Sequence, residues 1–247
     1  MCGSSSCPSS YRRDRGAVDD FHRTLTEIVF RAGDDLGLVL AGGYAISAHN
    51  LTSRPSQDVD FATAAAVPMS TIVDRLSAMF RDAGFKVAVV ELAPRMARLT
   101  VTASTKSSEV DLLKEAIGPP VRMDIGPVLA LDDAVGMKVA ALHDRATHRD
   151  FIDVHAAATR GGFALRDLER LARIHQPALT LADLASRLTS IELRDTRRFF
   201  DYGLSQDDLD GLIRWAHQWA DDIHSRLHEE SDPGVDSGTD WDAYLDT

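Results

Sequence analysis

The chain has 247 residues, of which 44% are hydrophobic and 26% are charged, so we expect a folded, globular protein. Its formal net charge of −11 argues against a protein whose whole surface binds nucleic acid. No apolar run approaches the roughly 20 residues of a membrane span, and the N-terminus lacks the apolar core of a signal peptide. We therefore expect a cytoplasmic protein without a membrane-spanning segment.

The two ends of the chain differ in composition from its middle. Residues 1–16 are rich in serine and contain the only cysteines, Cys2 and Cys7, which predicts a disordered leader in a reducing compartment. Residues 229–247 contain seven acidic residues and no basic one, which predicts an acidic, disordered tail. Between them we expect a core over residues 17–130 and a helical domain over residues 131–228.

The first part of the chain predicts a helix, a buried strand, a short helix and a second strand, in that order. Their ranges are 18–30, 36–41, 44–49 and 58–62. Gly42 and Gly43 separate the first strand from the short helix. In the second strand Asp58 and Asp60 share a face, because alternate residues of a strand point the same way.

The rest of the chain predicts strands first and helices afterwards. A helix over residues 70–83 precedes three strands and a short fourth, at 85–92, 97–103, 109–113 and 121–125. The later ranges all have helical periodicity: 131–143, 150–158, 165–174, 181–188 and 206–227. This order predicts an α+β domain followed by a helical one.

The paired carboxylates of Asp58 and Asp60 are the first candidate for chemistry. Residues two apart on a strand lie about 6 to 7 Å apart along the backbone, so both side chains can reach one or two magnesium ions. Asp111, between the apolar residues Val110 and Leu112, is the candidate for a third carboxylate from a neighbouring strand. The alternative interpretation is a solvated strand face.

The Gly42–Gly43 pair is the second candidate. Glycines allow backbone amides to approach a triphosphate closely, and the N-terminus of the helix after them favours anions. The alternative is a tight turn with no binding role.

The segment LAGGYAISAHNLTSRPSQDVDFAT resembles the first motif of the DNA polymerase β nucleotidyltransferase superfamily. The Arg-x-Ser run at Arg54 and Ser56 resembles, more narrowly, the AbiEii group of type IV toxin–antitoxin toxins, which includes the mycobacterial MenT enzymes. The stretch LALDDAVGMKVAALHDRATHRDFIDVHAA is similar to a second AbiEii motif. The positions that match that motif are Lys138, Arg145, Arg149, Asp150 and Asp153.

The residues of the second motif also have an interpretation without the resemblance. Lys138 lies in an apolar helix, where it needs an anion such as phosphate or else extends to the solvent at the helix edge. Asp150 can cap the helix that follows it. Arg145 and Arg149 can bind phosphates, or can form a structural network with the acids around them, in which Asp153 would pair with an arginine.

The resemblance implies a polymerase β-like mixed sheet flanked by helices, followed by a helical C-terminal domain that contributes to the active site. It implies Mg²⁺ or Mn²⁺ held by Asp58, Asp60 and Asp111, with Lys138 and Asp150 as further catalytic residues. The residues that would bind the nucleoside triphosphate are Gly42, Gly43, Ser47, Arg54, Ser56, Lys138, Arg145, Arg149 and Asp153.

The resemblance also implies partners. The acceptor would be RNA, especially the 3′ end of tRNA, or a protein hydroxyl, and a cognate antitoxin would neutralise the toxin. Two other hypotheses stay open at this point. One is a nucleotidyltransferase that modifies a small molecule such as an antibiotic, and the other is a catalytically silent nucleotide-binding module, which the Gly-Gly in place of Gly-Ser favours.

Overall fold

The computed structural model describes residues 19–231. The predicted leader with Cys2 and Cys7, and residues 232–247 of the predicted tail, lie outside this part of the chain. The described residues divide into two compact units. The first contains the chain up to Lys114 together with Arg122–Val128, and the second contains Glu115–Val121 and the chain from Leu129 onward.

Between residues 19 and 129 the described chain forms three α-helices and seven strands. The helices are α1 (Asp20–Phe30), α2 (Gly42–Ala48) and α3 (Met69–Asp82). The strands are β1 (Val39–Leu40), β2 (Val59–Thr63), β3 (Lys86–Ala93), β4 (Met96–Thr102), β5 (Ser107–Lys114), β6 (Val121–Met123) and β7 (Gly126–Val128). They form one mixed sheet in the order β3-β4-β5-β2-β1-β7-β6, in which β2 and β5 are parallel and β4 is antiparallel to β5.

The two faces of this sheet carry different residues, because each strand alternates apolar and polar side chains. Phe61, Leu112 and Ala97 are aligned across β2, β5 and β4 and are fully buried. Helix α3 packs against β3 and β4 and contributes buried apolar side chains such as Leu76 and Phe80. Since these apolar rows face the core, the alternate residues of the same strands lie on the opposite face, where the predicted acids are found.

Helices make up the second unit. They are α4 (Leu131–Arg145), α5 (His148–Thr159), α6 (Leu165–His175), α7 (Leu181–Thr189), α8 (Thr196–Asp201) and α9 (Gln206–Ser231). Helix α4 packs closely on α6, since a Cβ at Gly136 would lie only 2.7 Å from the carbonyl oxygen of Leu171. In α9, Leu212, Trp219 and Ile223 are fully buried. None of the helices within residues 19–231 combines the length and the apolar character needed to cross a bilayer.

The predicted α+β class, with a mixed sheet flanked by helices and a helical C-terminal region, is confirmed. Three local predictions were wrong. The first strand was predicted from residue 36 but begins at Val39, because Leu36 closes a 3₁₀ turn and Gly37 has a φ of +53°. Gly42 and Gly43 lie in the first turn of α2 rather than before it. The single strand predicted near 121–125 is a pair of short strands, β6 and β7, which precede and follow a turn at residues 124 and 125.

One helix was missed, and α5 and α9 were predicted too short. Helix α8 lies between the helices predicted at 181–188 and 206–227, where no element was predicted, and Asp195 caps it by accepting from the amide of Arg197. Helix α9 was predicted to end at residue 227 but continues to Ser231. Helix α5 begins at His148, two residues before its predicted start.

Candidate active site

The first unit places two of the three predicted acids side by side on one face of the sheet, and the third directly precedes one of these strands. Asp60 and Asp111 are direct partners in the parallel pairing of β2 with β5, so their side chains share a face. Neighbouring strands lie about 4.8 Å apart, which places these two carboxylates within reach of a common ligand. Asp58 is the residue directly before β2 and, like Asp60, is half-buried.

Gly42 contacts the carboxylate of Asp60 directly. The φ of Gly42 is +58°, and a Cβ built there would lie 1.8 Å from Oδ2 of Asp60. The amide of Ala41 donates to the backbone carbonyl of Asp60 at 2.8 Å, which fixes the two segments to each other. The glycine is therefore required both by its backbone conformation and by the space that the aspartate occupies.

We expect Gly42→Ala to reduce the nucleotidyl transfer that the resemblance implies more than about tenfold, since it would displace Asp60, a predicted catalytic residue. The matched control is Gly84→Ala, because Gly84 has a φ of +87° but a Cβ added there would have no atom within 4 Å. Gly84→Ala should lower the free energy of unfolding by about 1 to 2 kcal/mol through backbone strain, and Gly42→Ala by at least as much, because its Cβ also displaces Asp60. Only Gly42→Ala should lower the transfer rate, and equal rates in the two variants would contradict the role assigned to this contact.

The loop before β2 folds onto the second glycine. A Cβ at Gly43 would lie 2.4 Å from Oγ of Ser56 and 2.9 Å from a guanidinium nitrogen of Arg54. Arg54 is 6% exposed and donates to the carbonyl of Pro55 at 3.2 Å. The buried hydroxyl of Ser56 has no hydrogen-bond partner among the described residues, and such a group is costly unless a ligand satisfies it.

Ser47, the remaining predicted residue of this segment, lies in the last turn of α2 and is half-buried. It follows Gly43 by four residues, so the two positions lie on the same face of the helix.

Sequence reasoning missed Arg98, which pairs with Asp111. Its Nε and Nη2 donate to Oδ1 and Oδ2 of Asp111, both at 2.7 Å. These hydrogen bonds raise the pKa of Arg98 above its ordinary value. The sequence did contain a signal for Arg98: it is a cation that alternates with the buried apolar residues Ala97 and Leu99 of β4.

The chemistry of the acids fits a divalent cation, since carboxylate oxygens are the ligands that Mg²⁺ and Mn²⁺ prefer. Asp58 and Asp60 are the residues that would hold the ion. Within residues 19–231 no three His, Cys, Asp or Glu side chains converge into a complete ligand group. In general, Mg²⁺ sites can use only one or two carboxylates and take their other ligands from substrate phosphates and water.

A buried hydrogen-bonded brace holds α2 in place. Nδ1 of His22 is 2.5 Å from the hydroxyl of Tyr44, and Nε2 of His22 is 2.9 Å from Oγ of Ser108. Burial lowers the pKa of His22 and raises the pKa of Tyr44 to about 12. Both groups are therefore uncharged at neutral pH, and they join α1, α2 and β5. Sequence reasoning did not detect this brace.

The second unit contains the residues of the second motif. Nζ of Lys138, on α4, is 2.9 Å from Oδ2 of Asp153, on α5. The two residues are 8% and 0% exposed. The lysine therefore does not extend to the solvent. In this apolar helix its charge is stabilised by a carboxylate of the protein itself. Asp153 is therefore a direct neighbour of Lys138.

Asp150 is fully buried and stabilises the start of α5. Its Oδ2 accepts from the amide and the hydroxyl of Thr147, at 3.1 and 2.6 Å, which completes a capping box. Arg145 donates to both of its oxygens at 3.0 and 3.1 Å. Burial opposes the ionised form, but Arg145, Lys138 and Thr147 outweigh it and hold the pKa of Asp150 below its ordinary 3.8. Arg149 lies next to it in the first turn of α5 and is half-buried.

Residues 23–247 match the family of AbiEii nucleotidyl transferase toxins of type IV toxin–antitoxin systems. The chain belongs to this family. The resemblance inferred from the Gly-Gly, Arg-x-Ser and Asp-x-Asp segments is thus confirmed. As a nucleotidyltransferase, the AbiEii protein is an enzyme, which argues against the silent binding module. No curated protein sequence matches it.

Several solved structures are similar to this AbiEii protein at low sequence identity. A candidate nucleotidyltransferase from Helicobacter pylori is 16% identical with a TM-score of 0.50, over 85% of this chain and 96% of that one. JHP933 from Helicobacter pylori is 17% identical with a TM-score of 0.48, over 87% and 97%. The toxin MenT4 from Mycobacterium tuberculosis is 17% identical with a TM-score of 0.41, over 81% and 85%. At 16% identity, the likeness to the candidate nucleotidyltransferase concerns the fold alone.

Proposed function

We propose that this AbiEii protein transfers a nucleoside monophosphate from a nucleoside triphosphate to a hydroxyl acceptor, with Mg²⁺ or Mn²⁺ held by Asp58 and Asp60. The observation that carries the proposal is the arrangement of the first unit. Gly42 contacts the carboxylate of Asp60, and Asp111 lies beside that carboxylate in strand register. Two aligned acids beside a glycine turn form a site for a polyphosphate and its cation.

The residues of the first unit have separate tasks in this proposal. The amides of Gly42 and Gly43 and the hydroxyls of Ser47 and Ser56 bind phosphate oxygens, and the buried hydroxyl of Ser56 gains the partner that it lacks. Arg54 stabilises phosphate charge. A bound divalent cation supplies neutralisation of the negative charge on the phosphates.

We propose that Lys138, Arg145 and Arg149 of the second unit bind phosphate, as the second family motif implies. Asp153 orients the ammonium of Lys138, as the 2.9 Å contact supports. Asp150 holds the first turn of α5 and Arg145, and we propose that it acts by positioning them.

The reaction is an in-line substitution at the α-phosphorus. The oxygen of the acceptor hydroxyl forms a bond to the α-phosphorus while the bond to the bridging oxygen of the β-phosphate breaks, and pyrophosphate leaves. The proton of the hydroxyl passes to Asp111 or to water. Most of the acceleration comes from positioning and from stabilisation of charge by fixed groups.

We propose RNA, with the 3′ end of tRNA first, as the acceptor, and the cytoplasm as the place of the reaction. Exposed residues around α8 support this choice, because they combine cations for phosphates with an aromatic ring for stacking on bases. Arg197 and Arg198 are exposed, Leu193 is 87% exposed and Phe200 is 40% exposed. A protein hydroxyl is the acceptor that the experiment must exclude.

The experiment incubates the purified protein with each α-labelled nucleoside triphosphate, Mg²⁺, and either total RNA or a protein lysate. We expect label in RNA of tRNA length with at least one of the four nucleotides. Label only in protein bands would indicate that the acceptor is a protein and not RNA. Label only in small molecules would indicate an antibiotic-type enzyme. Asp58→Asn is the negative control, and no label in any fraction would contradict the proposal.

The toxin role is tested in cells. We propose that a cognate antitoxin neutralises the protein, so induced expression of the wild type alone should arrest growth, and Asp58→Asn should not. Growth arrest by both proteins would show that toxicity does not depend on nucleotidyl transfer.

A further inference from the structure

An arginine lies within a row of acids on the site face of the sheet. Strand register aligns Glu91 of β3 with Arg98 of β4, Arg98 with Asp111 of β5, and Asp111 with Asp60 of β2. Aligned residues of neighbouring strands lie on the same face, so these four side chains form a continuous line across four strands. We call this line, with Asp58, the acidic row.

Arg98 interacts with several acids of this face and not only with one. Its two hydrogen bonds to Asp111 use both carboxylate oxygens, and its Nε is 3.5 Å from Oε2 of Glu109. Glu109 and Asp58 also favour the charged guanidinium. The side chain of Asp111 is only 12% exposed, whereas that of Arg98 is 34% exposed, so the guanidinium closes the acid off from one side.

Like charges that lie side by side repel one another in the absence of a cation. Asp60 and Asp111 are such neighbours, and the guanidinium of Arg98 offsets this repulsion when no metal is present. A divalent cation that used Asp111 would meet the positive charge of Arg98 and would compete with it for the same two oxygens.

We propose that Arg98 is a positioning residue that acts as a resident counter-cation: it competes with the divalent metal for Asp111 and so limits the metal affinity of the acidic row. This inference rests on the proposed function, since it assumes that Asp58 and Asp60 hold the metal. In the metal-free protein, Arg98 thereby stays hydrogen-bonded to the carboxylate of Asp111.

A purely structural role for Arg98 predicts a change in metal affinity on mutation that is opposite to the change a competing cation predicts. Polar partners that only orient metal ligands cost about 10- to 100-fold in metal affinity when they are removed. A competing cation does the reverse, because its removal leaves more negative charge at the site. The direction of the change in affinity therefore decides between the two roles.

The test measures Mn²⁺ binding to the full chain without nucleotide, by electron paramagnetic resonance of the unbound ion. We expect Arg98→Gln to bind Mn²⁺ at least about tenfold more tightly than the wild type, since one positive charge near the ion is lost. Arg98→Lys, which keeps the charge, should stay within about threefold of the wild type. Arg95→Met is the matched control, because Arg95 is exposed in the turn between β3 and β4 and donates to the carbonyl of Lys114.

Unchanged or weaker Mn²⁺ binding by a cooperatively folded Arg98→Gln would overturn the inference. If Arg98→Gln does not fold, Arg98→Lys combined with Asp111→Asn replaces it. That protein should bind Mn²⁺ no better than Asp111→Asn alone, and tighter binding would overturn the inference. If the proposed function fails, the pattern is different: Asp58→Asn then binds Mn²⁺ as tightly as the wild type does.

Discussion

Asp58→Asn is expected to reduce nucleotidyl transfer on the order of a thousandfold, the scale associated with the loss of a preorganised electrostatic group. Asparagine has nearly the same shape as aspartate but lacks the negative charge that holds a divalent ion. Because Asp58 is half-buried at the start of β2, the substitution should leave the free energy of unfolding close to that of the wild type. The measurement is the initial rate of label transfer, together with thermal unfolding.

The matched control for this prediction is Asp74→Asn. Asp74 is exposed on α3, so the same chemical change there should leave the transfer rate unaltered. If Asp58→Asn retained the rate of Asp74→Asn, Asp58 would have no part in catalysis.

Lys138→Met has the second largest expected effect, and it acts on both activity and stability. The ammonium and the carboxylate of Asp153 are 2.9 Å apart, in residues that are 8% and 0% exposed. Breaking such a pair leaves a buried charge with fewer partners, so the free energy of unfolding should fall by about 3 kcal/mol. The transfer rate should also fall at least about a hundredfold, because the second family motif implies a catalytic role for the Lys138 cation.

A double variant separates these two effects. In Lys138→Met with Asp153→Leu, both charges are replaced by apolar groups, so most of the lost stability should return. The transfer rate should remain low. Lys86→Met, at the exposed start of β3, controls for the loss of a lysine elsewhere. If the double variant recovered both stability and transfer, Lys138 would be a structural residue only.

The sequence predicted those elements whose side-chain periodicity is strong. Helix α3 was placed within one residue, because Ile72, Leu76 and Phe80 recur at helical spacing and all are buried. The family and the first unit's acids were also accessible, because Gly42, Asp58 and Asp60 lie close together in the chain. Residues that are close together in the sequence can be recognised as a motif without knowledge of the fold.

Residues that depend on strand register were not accessible. Arg98 and Asp111 are 13 residues apart, and His22 and Ser108 are 86 residues apart. Their pairing is set by which strands are neighbours and by how the strands are aligned, which no local pattern records.

A local signal was present at α5 but was interpreted incompletely. Thr147 and Asp150 have the spacing of a capping box, with the cap at the threonine and the acid three residues later. We placed the helix start at Asp150 because that residue alone suggested a cap. The structure puts the start at His148, so the buried acid lies inside the first turn and also binds Arg145.

The proposed metal site is tested by an anomalous difference map from crystals grown with Mn²⁺ and a nucleoside triphosphate analogue that cannot be cleaved. We expect a peak at about 2.2 Å from carboxylate oxygens of Asp58 and Asp60, with the phosphates over Gly42 and Gly43. An ordered nucleotide with its ion bound by other residues, and with Asp58 and Asp60 turned away from it, would show that these aspartates do not hold the metal.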